Sequence, residues 1–338
     1  MLIRYTLVIL SLTLVACSAY KGKKLQKAGY VKPGNTIVKL ADVPKDSITL
    51  HYFACGGFYI ERGGEAILID PFASNPKALG RIKPNRAAVD TVMNHATGGK
   101  RGTIRAVLAG HAHYDHLMDV PYILDNYTDS TTWFAGNNTA GKMVKMLTNN
   151  TIGAVVNLDA GRGEMFAGNT IRITPILLSH PPHIGKKHLY AGEFDANAKP
   201  WQKKYWQGGQ TYGFIIDFFD TKGKVDFRIY MQTSSGLLGL DNVPPDVMRQ
   251  RTVDLMILPA ALFSKVKGYP QKLVSQYHPK HIVVCHWENF FKPMDKISQK
   301  PYTVSLTNVY QFAKQLDYNI GRSRFTIPMP DSEIKIRF

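Results

Sequence analysis

The sequence predicts a mixed α/β fold in which two β-sheets pack together and helices cover them on the outside. The chain has 338 residues, 44% hydrophobic and 20% charged, so it can bury one large core. Short β-rich runs separated by turns outnumber the helical segments. The helical segments fall between groups of strands, which suits two packed sheets in one α/β domain.

The individual elements follow from the period of the apolar residues. Strands are predicted at Thr49–Ala54, Phe58–Glu61, Ala66–Ile69, Ile104–Leu108, Thr170–Leu178, Tyr212–Phe219, Phe227–Met231, Leu255–Leu258 and His281–Val284. Helices are predicted where apolar residues recur every three or four positions, at Leu117–Asn126, Thr139–Leu147, Gln271–Gln276 and Thr303–Leu316. The stretch 181–210 is rich in Lys, Trp, Gly and Pro without a clear period, so we expect a loop insertion there.

The amino-terminal residues have the features of an export signal. Arg4 is followed by an apolar stretch, Tyr5–Ala16, that is too short to span a bilayer. Leu14–Cys17 resembles the bacterial lipoprotein box, so residues 1–16 are expected to be a signal peptide and Cys17 to be lipidated. An ordinary secretory peptide with an incidental cysteine is the alternative. Ser18 is not acidic, which favours the outer over the inner membrane, with the domain facing the periplasm.

Residues 17–45 are predicted to be a basic tether, followed by a single domain over 46–338. The tether carries Lys21, Lys23, Lys24, Lys27 and Lys32, and it either lies along acidic lipid or is a solvated linker. The whole chain has 42 Lys and Arg against 25 Asp and Glu, a formal charge of +17. This charge favours anionic surroundings, which are phospholipid head groups, nucleic acid or a small-molecule or lipid-like anionic substrate. Nucleic acid is not the expected partner, since no DNA- or RNA-reading module is found and the anchor would hold the protein at a membrane.

The most informative residues are His-Ala-His-Tyr-Asp-His at 111–116, just after a predicted strand. If the chain stays extended through His111 and His113, both imidazoles project from one face, and the turn into the next helix brings Asp115 and His116 to the same pocket. Zinc, iron and manganese accept these ligands, and a coordinated water could act as nucleophile near neutral pH. The sequence therefore predicts a site for one or two divalent metals.

This His-Xaa-His-Xaa-Asp-His pattern resembles the hallmark of the metallo-β-lactamase-fold hydrolases, and the resemblance covers about Thr49–Phe290. It implies the αββα sandwich of that superfamily. Asp70, at the end of Ala66–Pro71, resembles the first motif, whose aspartate supports the metal loop without binding metal. The pair His286-Trp287 resembles the lactonase-like and N-acyl phosphatidylethanolamine phospholipase D-like branches.

The resemblance also implies which residues hold the metals. Thr174–His180 resembles the third motif and Val283–Trp287 the last one, while Val253–Pro259 resembles the penultimate strand of the superfamily. The first metal would then be bound by His111, His113 and His180, and the second by Asp115, His116 and His286. His183 is the alternative to His180.

The sequence departs from the family at the fourth motif. Tyr230–Gly236 matches it, but Ser234 stands where an aspartate normally bridges the two metals. A neutral hydroxyl brings no charge to offset two dications. We therefore expect one tightly bound Zn²⁺ and a weaker second ion, with manganese and iron as alternatives. In a one-metal enzyme, Asp115 would be free to act as general base and His286 to polarise or protonate the substrate.

The remaining candidates are weaker. His95 is expected in an exposed loop, and His51, His278 and His281 are expected to be structural. The aromatic residues of the insertion either line a cleft or pin the loop to the body of the protein; these are Trp201, Tyr205 and Trp206.

Together these features predict a membrane-anchored, metal-dependent hydrolase of the cell envelope that uses metal-activated water on an ester-type bond. A phosphodiester, a phospholipid-like molecule or a lactone is the expected substrate, a choice that depends on the resemblance. The alternative is a non-catalytic envelope protein that keeps a degenerate form of the fold, which the Ser234 replacement favours.

Overall fold

Two β-sheets stacked face to face form the centre of the molecule. The structure is a computed structural model that describes residues 18–41, 43, 48–100, 102–149, 152–237 and 243–337. The strands are β1 Thr36–Lys39, β2 Ile48–Tyr52, β3 Phe58–Arg62, β4 Glu65–Ile69, β5 Ile104–Leu108, β6 Trp133–Gly136, β7 Ala154–Asn157, β8 Met165–Ala167, β9 Ile171–Leu178, β10 Thr211–Phe219, β11 Val225–Met231, β12 Leu255–Pro259, β13 His281–Cys285, β14 Phe325–Thr326 and β15 Ser332–Arg337. One sheet has the order β1-β15-β2-β3-β4-β5-β6-β7 and the other β14-β13-β12-β11-β10-β9-β8.

Helices cover the sheets on the outside, as the sequence predicts. They are α1 at residues 18–27, α2 Arg86–Thr97, α3 Tyr114–Leu117, α4 Val120–Tyr127, α5 Asn138–Leu147, α6 Pro245–Gln250, α7 Gln271–Tyr277, α8 Met294–Ile297 and α9 Val309–Ile320. None of the helices within the described residues combines the length and the apolar character needed to cross a bilayer.

The side chains of β4 point alternately to the two faces of the sheet, so this one strand contributes to two hydrophobic cores. Ile67 and Ile69 belong to the core cluster that contains the facing strands β10 to β13, whereas Ala66 and Leu68 belong to a second cluster with the helices α2, α4 and α5. All four side chains are fully buried. Because alternate residues of a strand point to opposite faces, this sheet is apolar on both sides, and the αββα sandwich follows.

The amino-terminal part of the described chain differs from the expected tether. β1 pairs in parallel with β15, and Leu25 of α1 is fully buried. The Ser18 hydroxyl donates to the Thr303 carbonyl at 2.6 Å, and Lys24 Nζ lies 4.2 Å from the centre of the Tyr310 ring. The predicted boundary at residue 46 is therefore too late, because α1 and β1 are built into the domain from residue 18. Cys17 and the predicted signal peptide lie outside the described residues.

Helix α2 was not expected, and it corrects the position of His95. Asn85 caps this helix by accepting from the Ala88 N–H, and Gly98 ends it in the left-handed conformation. His95 lies in its last turn, where its Nδ1 is 3.0 Å from an Asp331 oxygen, so it is not in a loop. The apolar residues Val89, Val92 and Met93 at helical spacing were the signal that sequence reasoning missed.

Candidate functional site

The strand directions bring the candidate residues to one edge of the sandwich. In the first sheet, β2 and β4 are both antiparallel to β3, and β4 is parallel to β5. In the second sheet, β11, β12 and β13 are parallel, and β9 runs the same way because both β9 and β11 are antiparallel to β10. The carboxyl ends of these strands are followed by the residues of the site, which are Cys55, Asp70, His111, His180, Ser234 and His286.

Three histidines form the first donor group. His111, His113 and His180 each offer a ligand atom, and these atoms all lie within 4.8 Å of one another. The ring centre of His111 lies 4.6 Å from that of His113 and 5.1 Å from that of His180. Both ring nitrogens of His111 are buried and have no hydrogen-bond partner among the described residues. Buried polar atoms are normally paired, so an orphaned imidazole here fits a metal ligand.

The surroundings keep these three imidazoles neutral, which is the form that binds metal. Burial lowers the pKa of His113 to about 4. The pKa values of His111 and His180 lie well below the ordinary value because of burial and of the neighbouring histidines. The His180 Nδ1–H donates to the Pro181 carbonyl at 2.8 Å, which leaves Nε2 of His180 for a cation.

A second donor group consists of Cys55, Asp115 and His286, whose ligand atoms also lie within 4.8 Å of one another. His286 Nε2 is 3.4 Å from Asp115 Oδ2. Burial opposes the charge of Asp115, but His116 and His286 outweigh it and hold the pKa of Asp115 well below its usual range. Burial and the nearby Asp115 raise the pKa of the Cys55 thiol. Cys55 was missed by the sequence analysis; its position just after β2 was the available signal.

His116 lies beside both groups but is a member of neither. Its Nδ1 is bonded to Asp70 Oδ2 at 2.7 Å, and its Nε2 is 3.8 Å from Asp115 Oδ2. The other Asp70 oxygen accepts the Gly110 N–H at 2.7 Å. Asp70 therefore holds both the loop that begins at Gly110 and the ring of His116, and Nε2 is the atom of His116 that remains for a metal.

A cavity of about 310 Å³ opens onto both groups. Ser234 lies in its wall with Thr233 and Ser235, at the position where the sequence comparison expects an aspartate. The expected loop insertion forms another part of the wall through Pro181, His183, Ile184, Leu189, Tyr190 and Lys203. The long loop thus contributes directly to the site.

The other candidates have the following positions. His183 stacks on His180 with ring centres 4.7 Å apart, but its Nδ1 accepts the Leu189 N–H and it is outside the first donor group. Tyr205 and Trp206 are buried and pin the insertion to the body, whereas Trp201 is exposed. His51 Nε2 is hydrogen-bonded to the Asp331 carboxylate, and His281 Nε2 is hydrogen-bonded to the Thr326 hydroxyl. His278 ends α7 in the left-handed conformation.

Comparison with known proteins agrees with this architecture. Residues 57–185 match the family model of the metallo-β-lactamase superfamily. A protein of Veillonella parvula described as a possible metal-dependent hydrolase is 14% identical, with a TM-score of 0.51, over 85% of this chain and 98% of its own. An isothiocyanate hydrolase from Delia radicum gut bacteria is also 14% identical, with a TM-score of 0.51, over 84% and 98% of the two chains. A search of curated proteins found no match. The chain thus has the metallo-β-lactamase fold, with a histidine-rich cluster at one edge of the sandwich.

Proposed function

We propose that this protein is a membrane-anchored, zinc-dependent hydrolase that cleaves an ester-type bond in an amphiphilic, anionic molecule. The two donor groups that face one cavity support this proposal, because His113, Asp115, His180 and His286 all line it. When bound, a divalent metal would polarise the scissile bond and lower the pKa of a water molecule. Histidine, carboxylate and thiol ligands suit zinc well, and manganese and iron are the alternatives.

The protein's own residues have distinct tasks in this proposal. His111, His113 and His180 would hold the tightly bound metal. The Asp115 carboxylate lies within 4.8 Å of ligand atoms of Cys55 and His286, and its pKa is held well below its usual range, so a ligand role suits Asp115 better than that of general base. The His286 ring faces the cavity and can orient or protonate the leaving group when it is not bound to metal.

The cavity wall indicates the chemistry of the substrate. The apolar side chains of the wall include Leu262, Phe290, Phe291 and Val304. Lys203 is the lysine among the lining residues. The Lys203 Nζ lies 4.9 Å from the centre of the Phe291 ring and donates to the Ala78 carbonyl. An apolar chain with an anionic group would match this wall, as in a phospholipid-like phosphodiester or an acylated lactone.

The rim of the cavity supports a lipid-like substrate. Ile184, Leu189 and Leu306 line the cavity, yet they are 61%, 39% and 69% exposed. Exposed apolar residues around a site often mark contact with a membrane or a lipid. The buried Ser18 bonds Thr303, whose neighbour Val304 lines the same cavity. A lipid on Cys17 would therefore hold this side of the domain near the membrane, in the cell envelope and, where there is one, at the outer membrane.

Hydrolysis assays test the catalytic part of the proposal, and experiments on Cys17 test the anchor. The purified protein should hydrolyse at least one of a chromogenic phosphodiester, a lactone and a long-chain carboxylic ester, lose the activity with a chelator and regain it with Zn²⁺. The His111→Ala variant should be inactive, while His188→Ala, a change at an exposed histidine, should keep the activity.

For the anchor, mass spectrometry should find diacylglycerol on Cys17, and Cys17→Ala should release the protein from membranes. A soluble product that begins at another residue would refute the anchor.

The second candidate is a non-catalytic envelope protein, which the missing carboxylate at Ser234 favours. It predicts metal binding without hydrolysis of any of the three probes. Tight binding of zinc together with complete inactivity would therefore replace the first proposal with the second.

A further inference from the structure

Cys55 belongs to a metal-ligand geometry that the sequence motifs do not include. Its Sγ lies within 4.8 Å of ligand atoms of Asp115 and His286, and all three residues are buried. They come from three separate segments: the loop after β2, the short helix α3 and the segment that directly follows β13. Nδ1 of His286, a residue only 8% exposed, has no hydrogen-bond partner among the described residues. A buried imidazole with one unpartnered ring nitrogen, beside a thiol and a carboxylate, points to a cation ligand set.

The backbone around Cys55 holds its side chain at this position. Cys55 has a φ of +53°, in the left-handed region that residues other than glycine rarely adopt. Its N–H donates to Glu288 Oε1 at 2.6 Å, and its carbonyl accepts the His286 N–H at 2.8 Å. Glu288 is fully buried and also accepts from the Tyr52 hydroxyl. Two segments that carry donor atoms are thus fastened to each other, and such a strained residue persists only where its surroundings fix it.

The charge balance of a site with two divalent metals favours a thiolate ligand at Cys55. Two divalent cations a few ångströms apart need anionic ligands between or beside them. Ser234 provides no charge, and Asp70 is occupied by His116 and Gly110. On metal binding, the Cys55 thiol would release its proton to solvent and its sulfur would bind the cation as a thiolate, which adds one negative charge next to that of Asp115.

We propose that Cys55, Asp115 and His286 form a second metal site, in which the cysteine supplies the anionic ligand that Ser234 does not. His116 would complete this site through Nε2. The inference rests on the metal centre of the proposed function but not on the bond that is cleaved. It also changes the expectation for the second ion, because a thiolate site binds zinc or cobalt much more firmly than a site with a serine in place of the carboxylate.

Cobalt substitution gives a direct test, since a Co²⁺–thiolate bond produces a charge-transfer absorption in the near ultraviolet that imidazole and carboxylate ligands do not. The full-length, metal-free protein is titrated with Co²⁺ while bound cobalt is counted by elemental analysis. We expect the thiolate band to appear as the second cobalt binds. Cys285→Ser is the matched control, because Cys285 is the other buried free thiol and is outside the donor group; it should keep the band, and Cys55→Ser should lose it.

A second variant makes the test independent of whether Cys55→Ser folds. In the double variant Cys17→Ser, Cys285→Ser, Cys55 is the only thiol of the chain, so a band there must come from Cys55. Two bound cobalt ions without a band would overturn the inference and leave the proposed hydrolase intact. A band in a protein that hydrolyses none of the probes would support the inference while the proposed function fails. A protein that binds no cobalt would overturn both.

Discussion

Asp70 Oδ2 and His116 Nδ1 lie 2.7 Å apart and are both almost completely buried. The carboxylate connects the loop after β4 to the helix that carries Asp115, and its second oxygen holds the Gly110 N–H. Because the Nδ1–H of His116 donates to Asp70, Nε2, which lies 3.8 Å from Asp115 Oδ2, is the ring nitrogen left for a metal. One aspartate thus sets both the shape of the loop and the tautomer of the ring.

Asp70→Asn should lower the affinity for metal without abolishing it. The amide oxygen can still accept the Gly110 N–H, but the amide nitrogen can only donate to His116 and forces the proton of that ring onto Nε2. Loss of such a partner typically costs about 10–100-fold in metal affinity or activity. Competition with a chromogenic chelator measures it.

Asp119→Asn is the control for this change. Asp119 is as deeply buried, but it accepts from the N–H groups of Ala73 and Ser74 and is outside both donor groups. The control should lose stability and keep its metal affinity. Unchanged metal affinity in Asp70→Asn would contradict the role assigned to Asp70.

Ser234→Asp should restore the second metal in Cys55→Ser. If the thiolate supplies the missing negative charge, a carboxylate in the same cavity wall can supply it instead. The single variant Cys55→Ser should retain about one metal, and the double variant about two. Metal analysis after gel filtration decides it, with Ser235→Asp as the control because the Ser235 hydroxyl points to the Pro259 and Ala261 carbonyls. Two tightly held ions in Cys55→Ser alone would refute this prediction.

Lys203→Met should weaken the binding of anionic substrates. Lys203 lines the cavity and burial lowers its pKa, with Asp115 acting in the opposite direction. Removal of a charge-assisted contact of about 1–2 kcal/mol should raise KM about 5–30-fold for an anionic probe and leave a neutral ester unchanged. Lys204→Met, at the exposed neighbouring lysine, serves as the control. An equal rise for both probes would indicate damage to the wall and not a lost charge contact.

His281 should make the fold less stable in acid. Burial, together with Arg324, lowers the pKa of His281 from 6.5 to about 4. Below pH 6.5 His281 is protonated in the unfolded chain but stays neutral in the folded protein until about pH 4. The free energy of unfolding therefore decreases as the pH falls. The decrease reaches about 3 kcal/mol near pH 4, at about 1.4 kcal/mol per pKa unit. Urea unfolding of wild type and His281→Gln between pH 7.5 and pH 4.5 should show a smaller decrease in the variant. His188→Gln, at an exposed histidine, should decrease like wild type; an identical decrease in His281→Gln would contradict the prediction.

Two packed sheets with helices outside, and the histidine-rich segment of the candidate site, are predictable from the sequence because both depend on local patterns. The continuous apolar run Ala66–Ile69 predicts a strand buried on both faces, and His111, His113 and Asp115 place three candidate metal ligands within five positions. The loop insertion was also evident from its composition.

The positions of Cys55 and of the amino-terminal residues follow from the tertiary structure and not from local patterns. Cys55 meets Asp115 and His286 because β2 and β4 run in the same direction and β13 lies in the facing sheet, a relation between strands far apart in sequence. β1 joins the domain through β15, at the opposite end of the chain. Local periodicity carries no information about which distant strands pair, since pairing depends on how the whole core packs.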